Sequence, residues 1–139
     1  MRPYLVFARF PKNPNKFINN FKKIVLAYCL KNGVECVVER LTGRILIFSS
    51  IDICDFVKTI SRVEDCRPVK IYQNEDEIVS EAIKLLENCK NFAVRCNKLH
   101  VAQSIGARIH EILGIPANLE NPECPVNLEF RDGYYLLIL

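Results

Sequence analysis

The sequence has few histidines and glycines and none of the motifs that commonly build catalytic or metal sites. It contains two histidines, 5 glycines and no tryptophan in 139 residues. No Gly-rich phosphate loop, Gly-x-Ser-x-Gly turn or Cys-x-x-Cys pair occurs, and no cysteine has an evident base beside it. We therefore expect no catalytic residues, no bound metal and no cofactor.

Long apolar runs are also missing. No run reaches the roughly 18 residues that a membrane-spanning helix needs. The first residues, Met1–Tyr4, lead into a short apolar strand and lack the small-residue cleavage site of a signal peptide. Half of the residues are apolar and a quarter are charged, which is the mix of a folded domain. These features predict a cytoplasmic protein that does not associate with a membrane.

Charge is distributed unevenly, although the net charge is only +3. Residues 1–73 hold 13 Lys and Arg against 6 Asp and Glu, a balance of +7. Residues 74–139 hold 6 against 10, a balance of −4. The first half is therefore basic and the second is mildly acidic.

Hydrophobic spacing predicts an α+β fold made of two joined modules. In the first, a helix from Pro14 to about Asn32 and a second helix capped by Ser49 or Ser50 alternate with four strands. These strands are expected at Tyr4–Phe10, Val34–Arg40, Arg44–Phe48 and Arg67–Tyr72. The resulting β-α-β-β-α-β order is ferredoxin-like.

The second module is predicted to run α-β-α-β-β. It opens with Asn74 and Glu77, which form a capping-box-like pair. It closes on a hairpin with Asp132 and Gly133 at its centre, because Asp-Gly favours a tight two-residue turn. We place the domains at residues 1–73 and 74–139.

Seven cysteines occur, at positions 29, 36, 54, 66, 89, 96 and 124. Most alternate with apolar residues, as Cys36 does between Val34 and Val38. A free cysteine behaves as a small hydrophobe, so we expect buried structural thiols. A disulfide such as Cys89–Cys96 or a regulatory thiol is the alternative.

The first candidate site consists of cations in the basic half. Two lysines share one stripe of the first helix, away from its apolar face, and two arginines bracket the first hairpin. Such cations can neutralise phosphates, and arginine can bind phosphate bidentately. We expect one continuous RNA-binding face formed by Lys12, Lys16, Lys23, Arg40 and Arg44.

Structural roles for the same residues remain open. The lysines could form a solvated helix face, as most surface lysines do. The hairpin arginines could pair across the strands with Glu35 or Glu39.

A second candidate site lies between a strand and a helix in the acidic half. Arg95, Lys98 and His100 belong to a polar loop, and Arg108 follows on the flank of the next helix. The free N–H groups of a helix N-terminus attract anions, so these residues could form a phosphate-binding rim. For Arg108 the alternative is an ion pair with Glu111, and for His100 it is a surface or capping role.

The second half resembles a THUMP domain. The resemblance rests on Asn91–Arg95, Ser104–Gly106, Leu119–Glu123 and Val126–Arg131, and the Leu-x-Asn-Pro-Glu turn is its most specific part. The first half resembles the ferredoxin-like domain that precedes THUMP in 4-thiouridine synthetases. Its pieces are Lys12-Asn13, Lys16-Phe17 and Gly43–Leu46.

The resemblance implies a module that binds the acceptor arm of tRNA and presents a base to a separate catalytic domain. The 139 residues contain no such catalytic domain. We therefore expect a non-catalytic adaptor whose partners are tRNA, rather than DNA, and a separate tRNA-modification subunit. A protein-interaction module, favoured by the acidic second half, and a non-catalytic piece of a split enzyme are the alternatives.

Overall fold

The computed structural model describes all of residues 1–139 and has seven strands and four helices. In chain order these are β1 (Arg2–Ala8), α1 (Pro14–Lys31), β2 (Cys36–Leu41), β3 (Arg44–Ser49), α2 (Cys54–Val57), β4 (Val63–Tyr72), α3 (Glu75–Leu86), β5 (Phe92–Cys96), α4 (Leu99–Leu113), β6 (Cys124–Arg131) and β7 (Tyr134–Ile138). The predicted α+β class is confirmed. The chain divides into two compact units, Met1–Val69 and Lys70–Leu139.

The first unit is a four-stranded antiparallel sheet with helices over one face. Its strand order is β2-β3-β1-β4, which is the arrangement predicted for β-α-β-β-α-β. Helix α1 buries an apolar stripe that includes Phe21 and Val25 against strand residues such as Val6 and Ile47. Apolar burial on this one face stabilises the unit and leaves the outer side of α1 exposed.

Helix α1 begins and ends as its sequence predicts. Asn13 is the N-cap, and Pro14 follows at the first helical position, where a missing N–H costs nothing. Asn32 is the C-cap, and Gly33 comes next with φ +64°. Glycine takes this left-handed conformation without steric cost, so it ends the helix.

The second helix of the first unit differs from its prediction. It has only four residues, and the Cys54 N–H is bound at 3.0 Å by Oδ1 of Asp52. Neither Ser49 nor Ser50 caps it, because their hydroxyls accept hydrogen bonds from other N–H groups. Strand β4 also starts earlier than predicted, at Val63, since its first residues pair with β1.

The second unit packs α3 and α4 over strands β5, β6 and β7. Strands β5 and β6 are parallel, whereas β6 and β7 are antiparallel. The helices bury residues such as Ile78 and Ile105 against Phe92 and Leu128. This is the α-β-α-β-β order that the sequence predicts.

Local signals at both ends of the second unit are also confirmed. Oδ1 of Asn74 accepts a hydrogen bond from the Glu77 N–H at 2.9 Å, which caps α3. Asp132 and Gly133 have φ of 51° and 83° and form the turn between β6 and β7. Two positive φ values in succession give the twist that a tight hairpin needs.

Four of the seven cysteines correct the expectation of free thiols, whereas Cys29 is a buried free thiol as expected. Cys54 bonds to Cys66, with Cα atoms 5.2 Å apart, and Cys89 bonds to Cys124, with Cα atoms 6.3 Å apart. Cys96 is free, so the Cys89–Cys96 pairing is wrong. Disulfide formation requires a Cα separation below about 7 Å, which the tertiary fold determines.

Candidate nucleic-acid interface

The outer side of α1 carries two exposed lysines. Its buried residues Ile18, Phe21 and Val25 point to the core, and helical spacing puts Lys16 and Lys23 on the opposite side. Neither lysine forms an ion pair or a hydrogen bond within the chain. Both ammonium groups are therefore available to a phosphate. We call this surface the α1 crest.

A hydrogen bond links the first hairpin to the start of α1. Nη1 of Arg40 donates to Oδ1 of Asn15 at 2.7 Å. The exposed Arg40 side chain therefore lies beside the first turn of the helix, at Asn15, which directly precedes Lys16 in sequence. No ion pair joins Arg40 to Glu35 or Glu39, the partners considered from the sequence.

Arg44 lies on the other face of the sheet, which corrects the expectation of one continuous face for all five cations. Arg40 pairs in register with Ile45, a core residue on the helix-covered side. Arg44 precedes Ile45, and alternation along the strand turns it to the opposite side. There its guanidinium lies 4.6 Å from the ring centroid of Phe7, and Nη1 donates to the Gly43 carbonyl at 3.0 Å.

The second candidate site is divided between two faces of its sheet. Val94 and Cys96 contact the core beneath the helices, so Arg95 between them points to the helix-free face. Lys98 is the N-cap of α4 without a side-chain cap bond, and His100 lies exposed in the first turn. These two residues share the helix N-terminus, and Arg95 does not join them.

Arg108 is paired with acidic residues of α3. Its Nη2 lies 2.8 Å from Oδ1 of Asp76, and its Nη1 lies 3.6 Å from Oε2 of Glu75. The expected alternative, Glu111, is not its partner. Two carboxylates beside one guanidinium reduce the positive charge that Arg108 presents to an anion.

The structure also contains a groove that the sequence does not reveal. It has a volume of about 480 Å³ and lies along one flank of α1, within the first unit. Its apolar residues include Phe17, Ile24 and Phe56, and its polar residues include Asn20, Ser61 and Arg62. We call it the α1 groove. Only tertiary packing brings Phe56 and residues 59–62 beside α1, so no local pattern predicts the groove.

Arg62 adopts an unusual backbone conformation at this groove. Its φ is 72°, in the left-handed region that residues with a side chain adopt rarely. The Arg9 N–H donates to the Arg62 carbonyl at 3.0 Å, and Nη1 of Arg62 donates to the Arg9 carbonyl at 3.4 Å. Such a conformation costs about 1–3 kcal/mol and persists only when its surroundings fix it. The paired main chains hold Arg62 at the α1 groove.

Cys29 has a strongly altered thiol in the first unit. Burial, and to a smaller extent a hydrogen bond with the Cys36 side chain, together raise the pKa of Cys29 to about 12. The thiolate, rather than the thiol, is the nucleophile. Cys29 therefore stays protonated near neutral pH and fits a structural role.

None of the helices has both the length and the apolar character required to span a membrane. No known protein family and no curated protein sequence matches the chain.

Several solved structures share the fold of the chain. A 4-thiouridine synthetase, in a complex with RNA and bound ATP, matches with a TM-score of 0.65 and 19% identity over 99% of this chain. PH1313 from Pyrococcus horikoshii matches with a TM-score of 0.70 and 11% identity over 99% of this chain. TrmN from Thermus thermophilus matches with a TM-score of 0.54 and 16% identity over 98%. This chain spans 40%, 54% and 44% of their respective lengths.

Proposed function

We propose that this protein is a non-catalytic RNA-binding adaptor that recognises the acceptor arm of tRNA for a separate tRNA-modification subunit. One observation carries the proposal. The Arg40–Asn15 hydrogen bond of 2.7 Å brings a hairpin guanidinium to the first turn of α1, the helix that carries the unpaired lysines of the α1 crest. Lys12 extends this basic surface just before the helix. Clustered cations without carboxylate partners suit the spaced phosphates of an RNA backbone.

The fold comparison supports an RNA ligand. The 4-thiouridine synthetase with the same fold was solved as a complex with RNA, and this chain corresponds to 40% of its length. The assignment of the second unit as a THUMP domain belongs to the same proposal. It rests on the sequence resemblance together with the matching α-β-α-β-β order.

A salt titration of tRNA binding tests the proposal. The logarithm of the binding constant falls linearly with that of salt concentration, by about 0.7–0.9 per neutralised phosphate. We expect about 3–5 such contacts, which is the number of clustered, unpaired cations. The double change Lys16→Ala and Lys23→Ala should weaken the binding of all tRNAs alike and flatten the slope by about 2 contacts.

Lys58→Ala is the matched control, because Lys58 is exposed but follows α2 instead of lying on the α1 crest. It should leave affinity and slope unchanged. No tRNA binding at low salt would overturn the proposed function. Normal binding by the double variant would show that the α1 crest is not the contact surface.

A protein-interaction module is the second candidate, and an exposed apolar patch favours it. Leu30 is 85% exposed, and it lies with Met1, Leu26 and Val37 around a shallow groove of about 560 Å³. Contiguous exposed apolar side chains commonly mark contacts with other proteins. This role is compatible with an adaptor, and it would stand alone if no RNA bound.

A further inference from the structure

We propose that the α1 groove is a binding site for one unpaired nucleobase, with the flanking phosphates held by the α1 crest and Arg62. This inference rests on the proposed RNA-binding function and goes beyond it. It assigns a ligand class to a cavity whose residues no sequence pattern brings together.

The size and lining of the groove suit a flat aromatic ligand. Its volume of about 480 Å³ falls within the range of small-ligand pockets. Phe56 and Phe17 are half-buried and line it together with Ile24, which is 44% exposed. Unpaired bases bind proteins mainly by stacking on aromatic and apolar side chains. The groove offers such a surface at the molecular exterior.

The ring of Phe56 is fixed in position by stacking within the chain. Tyr28 stacks against it with ring centroids 3.8 Å apart and an interplanar angle of 11°. One face of Phe56 is therefore covered within the chain, and its accessible part lines the groove. A pre-positioned ring loses little freedom when a base stacks on it.

Hydrogen-bonding groups at the groove remain unused within the chain. The side chains of Asn20 and Ser61 line it, and neither forms a hydrogen bond in this structure. The Asn20 amide offers both donors and an acceptor, which are the groups that a base edge requires. The polar groups can therefore bind a base while the aromatic groups stack on it.

Positive charge surrounds the groove where a backbone would pass. Lys16 and Lys23 lie four residues before and three residues after Asn20, so all three are neighbours on the helix surface. Arg62 is fixed on the other side by its pairing with Arg9. A nucleotide has the matching form, an apolar aromatic base between two anionic phosphates. An apolar protein segment would leave these cations without partners.

The test compares RNA hairpins with blunt ends and hairpins that carry three unpaired nucleotides at the 5′ or the 3′ end. Stacking is worth about 1–3 kcal/mol per base, so one bound base should raise affinity by about 5- to 150-fold. A 2-aminopurine placed in the extension should lose fluorescence when it stacks. Both readouts are measured on the full chain.

Asn20→Asp and Asn19→Asp form a matched pair of variants. Both residues are exposed on α1, and each lies three or four positions from Lys16 and Lys23, but only Asn20 lines the groove. The two changes should weaken duplex binding equally. Only Asn20→Asp should also reduce the gain from the extension, by about fivefold or more, because it loses a donor to the base.

Phe56→Leu is a second test of base stacking, because it keeps an apolar side chain at this position and removes the aromatic ring. It should lower the fluorescence change without abolishing duplex binding, and thermal melting checks that the fold is retained. Duplex binding with no gain from either extension would overturn the inference and leave the proposed function intact. An equal reduction of the gain from the extension in Asn19→Asp and Asn20→Asp would also overturn it. Absence of all RNA binding would remove both proposals.

Discussion

The two units of the chain are similar in construction and opposite in charge. Each covers one face of its strands with helices, and each buries a phenylalanine to 1% exposure, Phe21 in the first unit and Phe92 in the second. The first unit holds 12 Lys and Arg against 6 Asp and Glu, whereas the second holds 7 against 10. The two units therefore have similar cores and differ in the charge of their surfaces.

The partners of the cations explain what this difference means. In the second unit Lys70 pairs with Glu81 at 3.0 Å, and Arg108 pairs with two carboxylates of α3. In the first unit the lysines of the α1 crest have no such partners. An unpaired cation can exchange its counterions for phosphates, whereas a paired one must first lose a carboxylate. The lysines of the α1 crest therefore differ from Lys70 and Arg108 in pairing as well as in the net charge of the unit that carries them.

The largest expected effect tests the equivalence of the two cores. Phe21→Ala and Phe92→Ala should each lower the free energy of unfolding by about 3–5 kcal/mol, because each removes a fully buried ring and leaves a cavity. Urea denaturation measures both. A cost below about 1 kcal/mol for one of them would show that its unit packs loosely. The two units would then differ in their cores as well as in their surface charge.

Removing the disulfide of each unit should lower the free energy of unfolding by different amounts in the two units. Cys54–Cys66 spans 12 residues and Cys89–Cys124 spans 35. Closing a longer loop restricts the unfolded chain more, which predicts losses of about 3 and about 4 kcal/mol when each bond is removed. Denaturation of the Cys→Ala pairs measures these losses, and Cys96→Ala serves as a free-thiol control. Equal stability of the oxidised and reduced wild-type protein would contradict both bonds.

The fold class could be predicted from the sequence because its signals are local. The apolar stripe of α1, the Asn74 cap and the Asp132-Gly133 turn each depend on residues a few positions apart. The disulfides could not be predicted, because Cys89 and Cys124 are 35 residues apart in sequence and come together through the pairing of β5 with β6. Alternation with apolar residues indicates that a cysteine is buried, but it does not identify its partner.

The arrangement of the candidate site depends on strand register and on contacts between separate elements. The faces of Arg40 and Arg44 depend on the hairpin register, in which Leu41 pairs with Arg44 and Arg40 pairs with Ile45. The predicted strands, which end at Arg40 and start at Arg44, set these two arginines opposite each other, on one face. The pairing of Arg108 with Asp76 was not predictable, because it joins two helices. The α1 groove also needs contacts between α1 and a segment distant in sequence, Phe56 and residues 59–62.

A smaller effect should show whether the second unit contributes to RNA binding. Lys98→Ala removes an exposed cation at the N-cap of α4. If the first unit supplies most of the phosphate contacts, this change should reduce the salt slope by at most about 1 contact, against about 2 for the double variant of the α1 crest. Filter binding of tRNA over a series of salt concentrations measures both. A larger effect of Lys98→Ala would move the main contact surface to the second unit.

The smallest expected effect concerns Arg108, which is paired with two carboxylates, whereas the lysines of the α1 crest are not. Its side chain is 36% exposed, and that of its closest partner, Asp76, is 85% exposed, so solvent screens the pair. Such pairs contribute about 0–1 kcal/mol, and Arg108→Gln, which keeps most of the aliphatic stem, should lower the free energy of unfolding by no more. The loss should shrink further in high salt. Because the guanidinium is already engaged by Glu75 and Asp76, tRNA affinity should also stay within about twofold of wild type. Urea denaturation at two salt concentrations and tRNA binding measure the two parts separately. A loss of tenfold or more in affinity with unchanged stability would mean that Arg108 leaves its carboxylates for a phosphate, and the acidic unit would then share the interface.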